Sequence, residues 1–301
     1  MTKHMLSLMD WTAEDLRALL DLAAEIKADP LGRFEALTGK TLAMIFEKPS
    51  TRTRVSFEAA MNRLGGQAMF LSPSDMQLGR GETIEDTAQV LSRFVEAIMA
   101  RVFSHTTVEK LATGSVPVIN GLSDLLHPCQ ALADALTLRE RFGDERGVEL
   151  AYLGDGNNVC HSLINAAARL GIRLRVGTPA GYEPAPTIVA AAREAGAAIT
   201  LTTDPKEAVA GAQAIYTDVW TSMGDEAEAA ERTRAFEPFR VDASLMALAL
   251  PEAVFLHCLP AHRGEEVTAE VLDGPQSAVF DQAENRMHTE QALLFTLMAE
   301  G

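Results

Sequence analysis

Short apolar runs alternate with amphipathic segments along the whole chain. Runs such as Thr41–Phe46 have the length and composition of buried strands. Between such runs, apolar residues recur at helical spacing, as Phe57, Met61 and Leu64 do. The predicted strands are residues 41–46, 68–71, 97–103, 116–120, 149–153, 174–176, 198–201, 214–217, 253–256 and 278–280. Strands that alternate with helices predict an α/β fold built from doubly wound parallel sheets.

Helix signals and one turn divide the chain into two predicted domains. The predicted helices begin near residues 12, 84, 131 and 284. The segment from Gly143 to Gly147 has the composition of a turn between domains. We therefore expect one domain over residues 1–142 and a second over residues 143–285. The C-terminal helix, from about residue 286 to residue 301, is expected to pack back on the first domain.

Composition and charge narrow the range of partners. The chain has 301 residues, 47% of them hydrophobic, and a net charge of −16. An acidic chain without clusters of Lys and Arg argues against nucleic acids and anionic membranes as partners. No apolar run approaches the ~18 residues that a membrane span needs, and we recognise no signal peptide. Three cysteines suit a reducing compartment, so we expect a cytoplasmic protein.

Residues 50–54 combine hydroxyl and guanidinium groups where a predicted strand gives way to a helix. Backbone N–H groups at a helix N-terminus lack partners within the helix, and the helix dipole is positive there. Together with Ser50, Arg52 and Arg54, these groups predict a socket for a phosphate-like dianion. The alternative is that Ser50 only caps the helix and that the arginines are surface charges. The GxxxxGK[ST] loop of mononucleotide-binding proteins does not occur here.

Other polar residues fall where further strands are predicted to end. Arg101 lies in the apolar run 97–103, where a charge requires a partner or a place at the strand's C-terminal end. That end faces the ligand crevice in open α/β sheets, so we interpret Arg101 as a ligand arginine, with a structural ion pair as the alternative. His127 and Gln130 flank the start of a predicted helix. They are candidate donors to a carbonyl oxygen, or else cap and core residues.

Residues 154–158 follow the first strand of the second domain and open a helix. The glycines suggest a dinucleotide site, but the third glycine of GxGxxG and the acidic residue about twenty positions on are missing. This argues against NAD binding. One of Asn157 and Asn158 is expected to cap the helix, so that the other faces a polar ligand. Asp218 offers a carboxylate to a cationic ligand, or else caps a turn.

The His-Cys pair at residues 257 and 258 ends another predicted strand. No CxxC or HxxxH partner accompanies it, so we expect neither a metal nor a cofactor. A buried, inert thiol is the usual state of a cytosolic cysteine. The position of Cys258 at a strand's C-terminal end favours a functional thiol instead. The charged residues 225–234 are expected to form a solvated segment.

Taken together, four motifs resemble the aspartate/ornithine carbamoyltransferase family. They are residues 50–54, residues 127–130, Asp218 with residues 222–224, and residues 257–260. The first two are typical of carbamoyltransferases in general, and the last two match the ornithine branch. The resemblance implies two α/β domains with the active site in the cleft between them. It also implies transfer of the carbamoyl group of carbamoyl phosphate to the δ-amine of L-ornithine, giving L-citrulline in arginine biosynthesis.

The same resemblance implies roles for individual residues. Those implied to bind carbamoyl phosphate are Ser50, Thr51, Arg52, Thr53, Gln77, Arg101, His127, Pro128, Cys129, Gln130, Cys258, Leu259 and Arg286. Those implied to bind ornithine are Asn158, Asp218, Ser222 and Met223. Direct catalytic contributions are expected from Cys258, Arg101 and His127.

The resemblance further implies a homotrimer, or a multiple of trimers, in which residues 72–83 reach a neighbouring subunit's site. Many relatives carry a His-Lys pair where this chain has Arg80-Gly81, so Arg80 is the candidate replacement for that lysine.

Several alternatives to ornithine transfer stay open at this point. Putrescine, acetylornithine or aspartate would be a different acceptor, although aspartate would require a cation where Asp218 lies. Putrescine lacks the carboxylate that residues 222 and 223 are expected to hold. Outside the family, the alternatives are an NAD-dependent dehydrogenase and a non-catalytic anion-binding protein.

Overall fold

The computed structural model describes residues 3–72, 81–221 and 228–299, and it divides into two compact units. The first unit comprises Met1–Ala133 with Asn285–Gly301, and the second comprises Asp134–Glu284. Each contains a sheet whose strand pairs are parallel. The predicted fold class of α/β with two parallel-sheet domains is therefore confirmed. The predicted functions of residues 1–142 and 143–285 stay predictions.

The first unit is built on a parallel sheet with the strand order β2-β1-β3-β4. Its strands are β1 Thr41–Phe46, β2 Gln67–Leu71, β3 Ala97–Arg101 and β4 Val118–Leu122. Its helices are α1 Ala13–Ala28, α2 Thr51–Arg63, α3 Ile84–Leu91, α4 His105–Leu111 and α5 Pro128–Phe142, the last of which continues into the second unit. The central strands β1 and β3 are buried almost throughout. This is what continuous apolar runs predict for strands covered on both faces.

The second unit has the strand order β7-β6-β5-β8-β9. Its strands are β5 Glu149–Leu153, β6 Arg173–Gly177, β7 Ile199–Thr202, β8 Ala214–Thr217 and β9 Val254–His257. Its helices are α6 Asn158–Leu170, α7 Pro186–Glu194, α8 Pro205–Val209, α9 Ala229–Phe236, α10 Ala243–Met246, α11 Ala269–Leu272 and α12 Val279–Met298. Helix α12 begins in this unit and ends in the first. Leu153 pairs with Thr217, and Thr217 pairs with His257, so three strands end in one row.

Local sequence explains where the first helix begins and ends. Thr12 caps α1, because its side-chain oxygen accepts a hydrogen bond from the Asp15 backbone N–H at 3.0 Å. The apolar stripe of Leu16, Leu19 and their neighbours is fully buried, as helical spacing predicts. The helix ends at Ala28, two residues before Pro30, a residue that has no backbone N–H to continue it.

Two expectations from the sequence are wrong. Residues 278–280 are not a strand: Ser277 forms an isolated bridge to Phe255, and α12 then begins at Val279. A short apolar run does not distinguish a strand from the start of a buried helix. The charged residues from 225 include Arg232, which is buried in α9 rather than solvated. Residues 222–227 lie outside the described residues.

Among the described residues, no helix combines the length and the apolar character that crossing a membrane requires.

The glycine turn at residues 154–158 has a structural cause. A Cβ atom built on Gly156 would lie 2.2 Å from the Pro184 backbone nitrogen and 2.4 Å from the Glu183 carbonyl carbon. The Gly156 backbone N–H also donates to the Tyr182 carbonyl oxygen at 2.8 Å. The glycine therefore allows two backbone segments to approach each other, which is one of the standard uses of this residue.

We predict that Gly156→Ala lowers the free energy of unfolding by about 2 kcal/mol, because the added methyl group overlaps backbone that cannot rotate away. Urea unfolding followed by circular dichroism measures the change. A variant that unfolds at the wild-type midpoint would show that the turn relaxes without cost.

Candidate active site

Both groups of predicted site residues lie where the order of strands reverses. In the first unit the chain adds β2 on one side of β1 and then β3 and β4 on the other. In the second unit it adds β6 and β7 on one side of β5 and then β8 and β9 on the other. Open α/β sheets bind ligands beyond the carboxyl ends of the strands at such a reversal. The residues discussed below follow β1, β3 and β4 in one unit and β5, β8 and β9 in the other.

In the first unit, the N-terminus of α2 follows the end of β1. Ser50 caps this helix: its Oγ accepts a hydrogen bond from the Thr53 backbone N–H at 3.2 Å and lies 3.2 Å from the Thr53 Oγ1. The capping alternative is therefore correct for Ser50. It does not exclude an anion, since a cap satisfies only part of the backbone N–H groups at a helix start. Thr51 and Arg52 are exposed at the same turn.

Arg101 ends β3 beside this turn. Its backbone pairs with Phe46 across the sheet, and its Nη1 lies 3.5 Å from the Thr53 Oγ1. The side chain is buried, with 7% of its surface exposed. The expected position at the C-terminal end of a strand is confirmed. Its role as a ligand arginine stays a prediction.

Arg54 does not join this group. Its Nε donates to the Glu58 Oε1 at 2.9 Å, one helical turn away, and its guanidinium lies over the Phe70 ring at 4.2 Å. The surface alternative is therefore correct for Arg54, because its charge is directed to groups on the outside of α2 and β2. Ser50, Thr51, Arg52, Thr53, Arg101, His127, Gln130 and Arg286 are hereafter called the anion socket.

His127 precedes α5, the helix that follows β4. Burial, and then the guanidiniums of Arg286, Arg101 and Arg52, hold the pKa of His127 well below its usual value of 6.5. The imidazole is therefore neutral at neutral pH and offers one N–H donor without adding positive charge. The cationic surroundings of His127 also indicate that three arginines share one small region.

The next residues on α5 differ in their surroundings. Gln130 Oε1 accepts a hydrogen bond from Arg286 Nη1 at 3.0 Å, which joins α5 to α12 within the first unit. Pro128 is the first residue of the helix, a position that proline favours. Cys129 is buried, and its Sγ contacts the Asn120 carbonyl oxygen at 3.5 Å. Burial raises the pKa of the Cys129 thiol to about 12, so it stays protonated.

In the second unit, Asn157 and Asp218 are joined. Asn157 is the N-cap of α6, because its Oδ1 accepts from the Val159 and Cys160 backbone N–H groups at 2.9 and 3.1 Å. Its Nδ2 donates to the Asp218 Oδ2 at 2.9 Å. The structure thus decides between the two asparagines: Asn157 is the cap, and Asn158 is the first residue of the helix. The ligand role expected for Asn158 stays a prediction.

Asp218 is the centre of a second group of polar residues. Its Oδ1 accepts from the Cys258 Sγ at 3.0 Å and from the Val219 backbone N–H at 2.8 Å. The carboxylate is buried, with 6% of its surface exposed, so it is more than an exposed turn cap. Asn157, Asp218 and Cys258 are hereafter called the carboxylate cluster. Its negative sign is opposite to that of the anion socket.

Leu259, next to Cys258, adopts a left-handed backbone with a φ of 58°, which is uncommon for a residue other than glycine. Its backbone N–H donates to the His257 Nδ1 at 2.8 Å, and the His257 Nε2 lies 3.1 Å from the buried Glu266 Oε1. These contacts hold the backbone beside Cys258 in one conformation. Strained residues of this kind persist where the surroundings fix them, and they are concentrated at functional sites.

The His-Cys pair has a third potential metal ligand nearby. Ligand atoms of Asp218, His257 and Cys258 all lie within 4.8 Å of one another. Both nitrogens of His257 are engaged, however, one by Leu259 and one by Glu266. A metal would have to displace one of these contacts. The expectation of no metal stays a prediction.

Gln77, Arg80, Ser222 and Met223 lie outside the described residues, as does most of the segment 72–83. Their predicted roles stay predictions.

Sequence reasoning missed the residues that hold the site in place. Buried Arg232 donates from Nε to the Trp220 carbonyl oxygen at 2.6 Å and from Nη2 to Asp155. It thereby ties the segment after Asp218 to the turn before Asn157. Its two hydrogen-bond partners are 12 and 77 residues away, so no short stretch of sequence marks them, although Glu228 lies 3.8 Å from Arg232 at a four-residue spacing. Glu290 follows Arg286 by the same helical spacing, which favours an ion pair.

We predict that the unfolding free energy of the wild type falls on acidification partly through His127. Below pH 6.5 the unfolded chain binds a proton at this residue that the folded chain does not, so stability decreases as the pH falls. Between about pH 7 and about pH 5.5 this proton uptake lowers the free energy of unfolding of the wild type by about 1 kcal/mol. The His127→Asn variant is expected to lack this decrease. Urea unfolding at both pH values tests the difference. Equal pH dependence in the two proteins would contradict the neutral, buried imidazole.

Comparison with known proteins identifies the group to which these features belong. Residues 3–140 match the family described as aspartate/ornithine carbamoyltransferase, carbamoyl-P binding domain. Residues 146–297 match aspartate/ornithine carbamoyltransferase, Asp/Orn binding domain.

Individual relatives agree with the family match. The chain is 54% identical to the ornithine carbamoyltransferase of Methanoculleus marisnigri over 100% of this chain and 98% of the relative. It is 55% identical to that of Bacillus subtilis, over 99% and 95%. A solved ornithine carbamoyltransferase from Pyrococcus furiosus superposes with a TM-score of 0.94 at 54% identity, covering 98% of this chain and 97% of the other. One from Thermus thermophilus gives 0.91 at 50% identity, covering 99% of each chain. The chain belongs to the aspartate/ornithine carbamoyltransferase family.

Proposed function

We propose that this protein transfers the carbamoyl group of carbamoyl phosphate to the δ-amine of L-ornithine, giving L-citrulline and phosphate. The observation that carries this proposal is the pair of oppositely charged residue groups at the two strand reversals. The anion socket suits a phosphate dianion, and the carboxylate cluster suits an ammonium group. Relatives that carry the name ornithine carbamoyltransferase match over essentially the whole chain, which favours ornithine as the acceptor.

We assign carbamoyl phosphate to the anion socket. Ser50, Thr51, Arg52 and Thr53 would hold the phosphate through hydroxyl, backbone and guanidinium donors. Arg101, His127 and Gln130 would meet the phosphate and carbonyl oxygens, and Arg286 would be a further contact of carbamoyl phosphate. Pro128, Cys129 and Gln77 are further predicted contacts. For Cys129, whose thiol faces the Asn120 carbonyl oxygen, the backbone is the group available for that contact.

We assign ornithine to the second unit. Asn158, Asp218, Ser222 and Met223 would hold its α-amino and α-carboxylate end. Cys258 and Leu259 would lie at the reacting centre, where the δ-amine meets the carbonyl carbon. Acetylornithine and putrescine each lack one of the charged groups at that end, so they would bind less well to the same residues.

In the proposed reaction, the δ-amine nitrogen attacks the carbonyl carbon to form a tetrahedral oxyanion. The carbon–oxygen bond to the phosphate then breaks, and the phosphate leaves with the electron pair. Neutral His127 and the arginines of the socket would donate hydrogen bonds to the oxygens on which charge develops. A single donor of this kind is typically worth ~3–4 kcal/mol of transition-state stabilisation.

The amine must lose a proton before or during this attack. An alkyl ammonium with a pKa near 10.4, like that of Lys, is less than about 0.1% neutral at pH 7. The Cys258 thiol donates to the buried Asp218 carboxylate, so the two groups form a connected path for that proton. Substitution of Cys258 by alanine tests whether the thiol takes part in the reaction.

We further propose the organisation that the family resemblance implies. Residues 1–142, together with residues 286–301, form the domain that binds carbamoyl phosphate, and residues 143–285 form the domain that binds ornithine. The protein is proposed to act in arginine biosynthesis in the cytoplasm as a homotrimer or a multiple of trimers, with residues 72–83 contributed to a neighbouring subunit.

Release of phosphate from carbamoyl phosphate by the purified protein tests the proposed function. Ornithine, N-acetylornithine, putrescine and aspartate are each supplied as the acceptor. We expect turnover with ornithine and at least about 100-fold lower kcat/KM with the other amines, because each lacks or alters a charged group. Preference for another amine would overturn the assignment of the acceptor. No turnover with any of them, despite binding of carbamoyl phosphate, would favour the non-catalytic alternative.

We predict that Cys258→Ala lowers kcat at least about 100-fold while changing the Kd of carbamoyl phosphate by less than about threefold, since the thiol acts on the acceptor. The matched control is Cys160→Ala, which removes a buried thiol of α6 outside the proposed site. Steady-state kinetics measures kcat, and calorimetry measures the Kd of carbamoyl phosphate. Unchanged kcat in Cys258→Ala would remove the thiol from the chemistry.

A further inference from the structure

The Glu290 carboxylate is buried in α12, one helical turn after Arg286. Its Oε1 accepts two hydrogen bonds from that arginine, from Nε at 3.0 Å and from Nη2 at 2.7 Å. Only 1% of the Glu290 surface is exposed. Two donors on one edge of the planar guanidinium therefore converge on a single carboxylate oxygen, which restrains the rotation of the guanidinium.

The opposite side of the same guanidinium carries the contact to α5. Arg286 Nη1 donates to the Gln130 Oε1 at 3.0 Å. Arginine has donors only, so Gln130 must present its oxygen to Arg286 and turn its NH2 group elsewhere. The chain of contacts from Glu290 through Arg286 therefore decides which end of the Gln130 amide faces Arg286.

Charge alone does not explain a carboxylate at this position. An acidic group beside a phosphate site weakens the attraction for a dianion, whereas the positive charges around His127 strengthen it. Burial raises the pKa of Glu290, while the Arg286 guanidinium and its hydrogen bonds oppose that rise. A buried carboxylate is costly in free energy, so its presence here is better explained by the orientation that it gives Arg286 than by its charge.

We propose that Glu290 is a positioning residue for the carbamoyl phosphate half of the site. It orients Arg286 and, through Arg286, sets the Gln130 amide so that its NH2 group meets the carbonyl oxygen of the substrate. This inference rests on the proposed function, because it takes carbamoyl phosphate as the ligand of the anion socket.

The test compares two probes that share the anionic group but differ in the carbonyl. Phosphonoacetamide, a stable analogue, carries the carbonyl and amide of carbamoyl phosphate, and inorganic phosphate carries neither. By calorimetry, Glu290→Gln is expected to raise the Kd of phosphonoacetamide at least about tenfold and the Kd of phosphate less than about threefold, since only phosphonoacetamide meets Gln130. Equal weakening of both probes, or of neither, would overturn the proposal.

A matched control and a second variant separate positioning from general damage. Glu58→Gln removes the acid of an exposed Arg–Glu pair with the same four-residue spacing, and it is expected to leave both affinities within about twofold. Glu290→Asp keeps the charge and shortens the reach, so we expect a partial loss for phosphonoacetamide, between those of wild type and Glu290→Gln. If Glu290→Gln does not fold, the Asp variant carries the same test: equal loss for both probes would overturn the proposal.

A double-mutant cycle tests whether Glu290 acts through Gln130. In a Gln130→Ala background, Glu290→Gln should raise the Kd of phosphonoacetamide by less than about threefold, because the amide that Glu290 positions is gone. Full additivity of the two losses would contradict the proposed path. Wild-type protein that binds neither phosphonoacetamide nor carbamoyl phosphate would refute the proposed function instead, so the two failures are distinguishable.

Discussion

The anion socket depends on holding several guanidiniums close together. The guanidiniums of Arg286, Arg101 and Arg52 all lower the pKa of one buried histidine, and the buried Arg101 and Arg286 lie in a poorly solvated region where like charges repel each other. The fold offsets this repulsion with fixed partners: Thr53 for Arg101, Glu290 for Arg286, and a histidine whose proton is displaced. A dianion that enters such a site meets donors that are already oriented, so little binding energy is lost to reorganisation.

The second unit holds a negative group, rather than positive ones, at the same kind of strand reversal. At the reversal between β5 and β8, buried Asp218 is held by Asn157, by the Val219 backbone and by Cys258. Neighbouring contacts then fix the backbone around it: Arg232 fixes the segment after Asp218, and His257 with Glu266 fixes Leu259. In a chain with a net charge of −16, a cationic amine needs little further attraction, whereas an anion needs the concentrated arginines of the socket.

Local patterns predicted the central strands and the α/β class, because buried parallel strands produce continuous apolar runs. They also predicted that the site residues lie at strand ends, because ligands bind beyond the carboxyl ends of the strands in such sheets. Family resemblance then supplied the chemistry. The predicted strand at residues 278–280 is wrong, because that apolar run starts α12. Arg232 was expected to be exposed to solvent because of its charge, but it is buried. Arg54 also differs from expectation, since a nearby Glu58 on the same helix pairs with it. The first two outcomes depend on tertiary neighbours that no short window of sequence contains, whereas the four-residue spacing of Arg54 and Glu58 can be read from the sequence.

Binding of phosphonoacetamide to Arg52→Ala and to Arg54→Ala tests the central claim most directly. Both variants remove a guanidinium from residues 50–54, but only Arg52 acts on His127, whereas Arg54 is paired with Glu58. By calorimetry we expect Arg52→Ala to lose at least about 100-fold in affinity and Arg54→Ala less than about threefold. Equal losses would show that the socket attracts anions by overall charge, and full affinity in Arg52→Ala would show that the anion binds elsewhere.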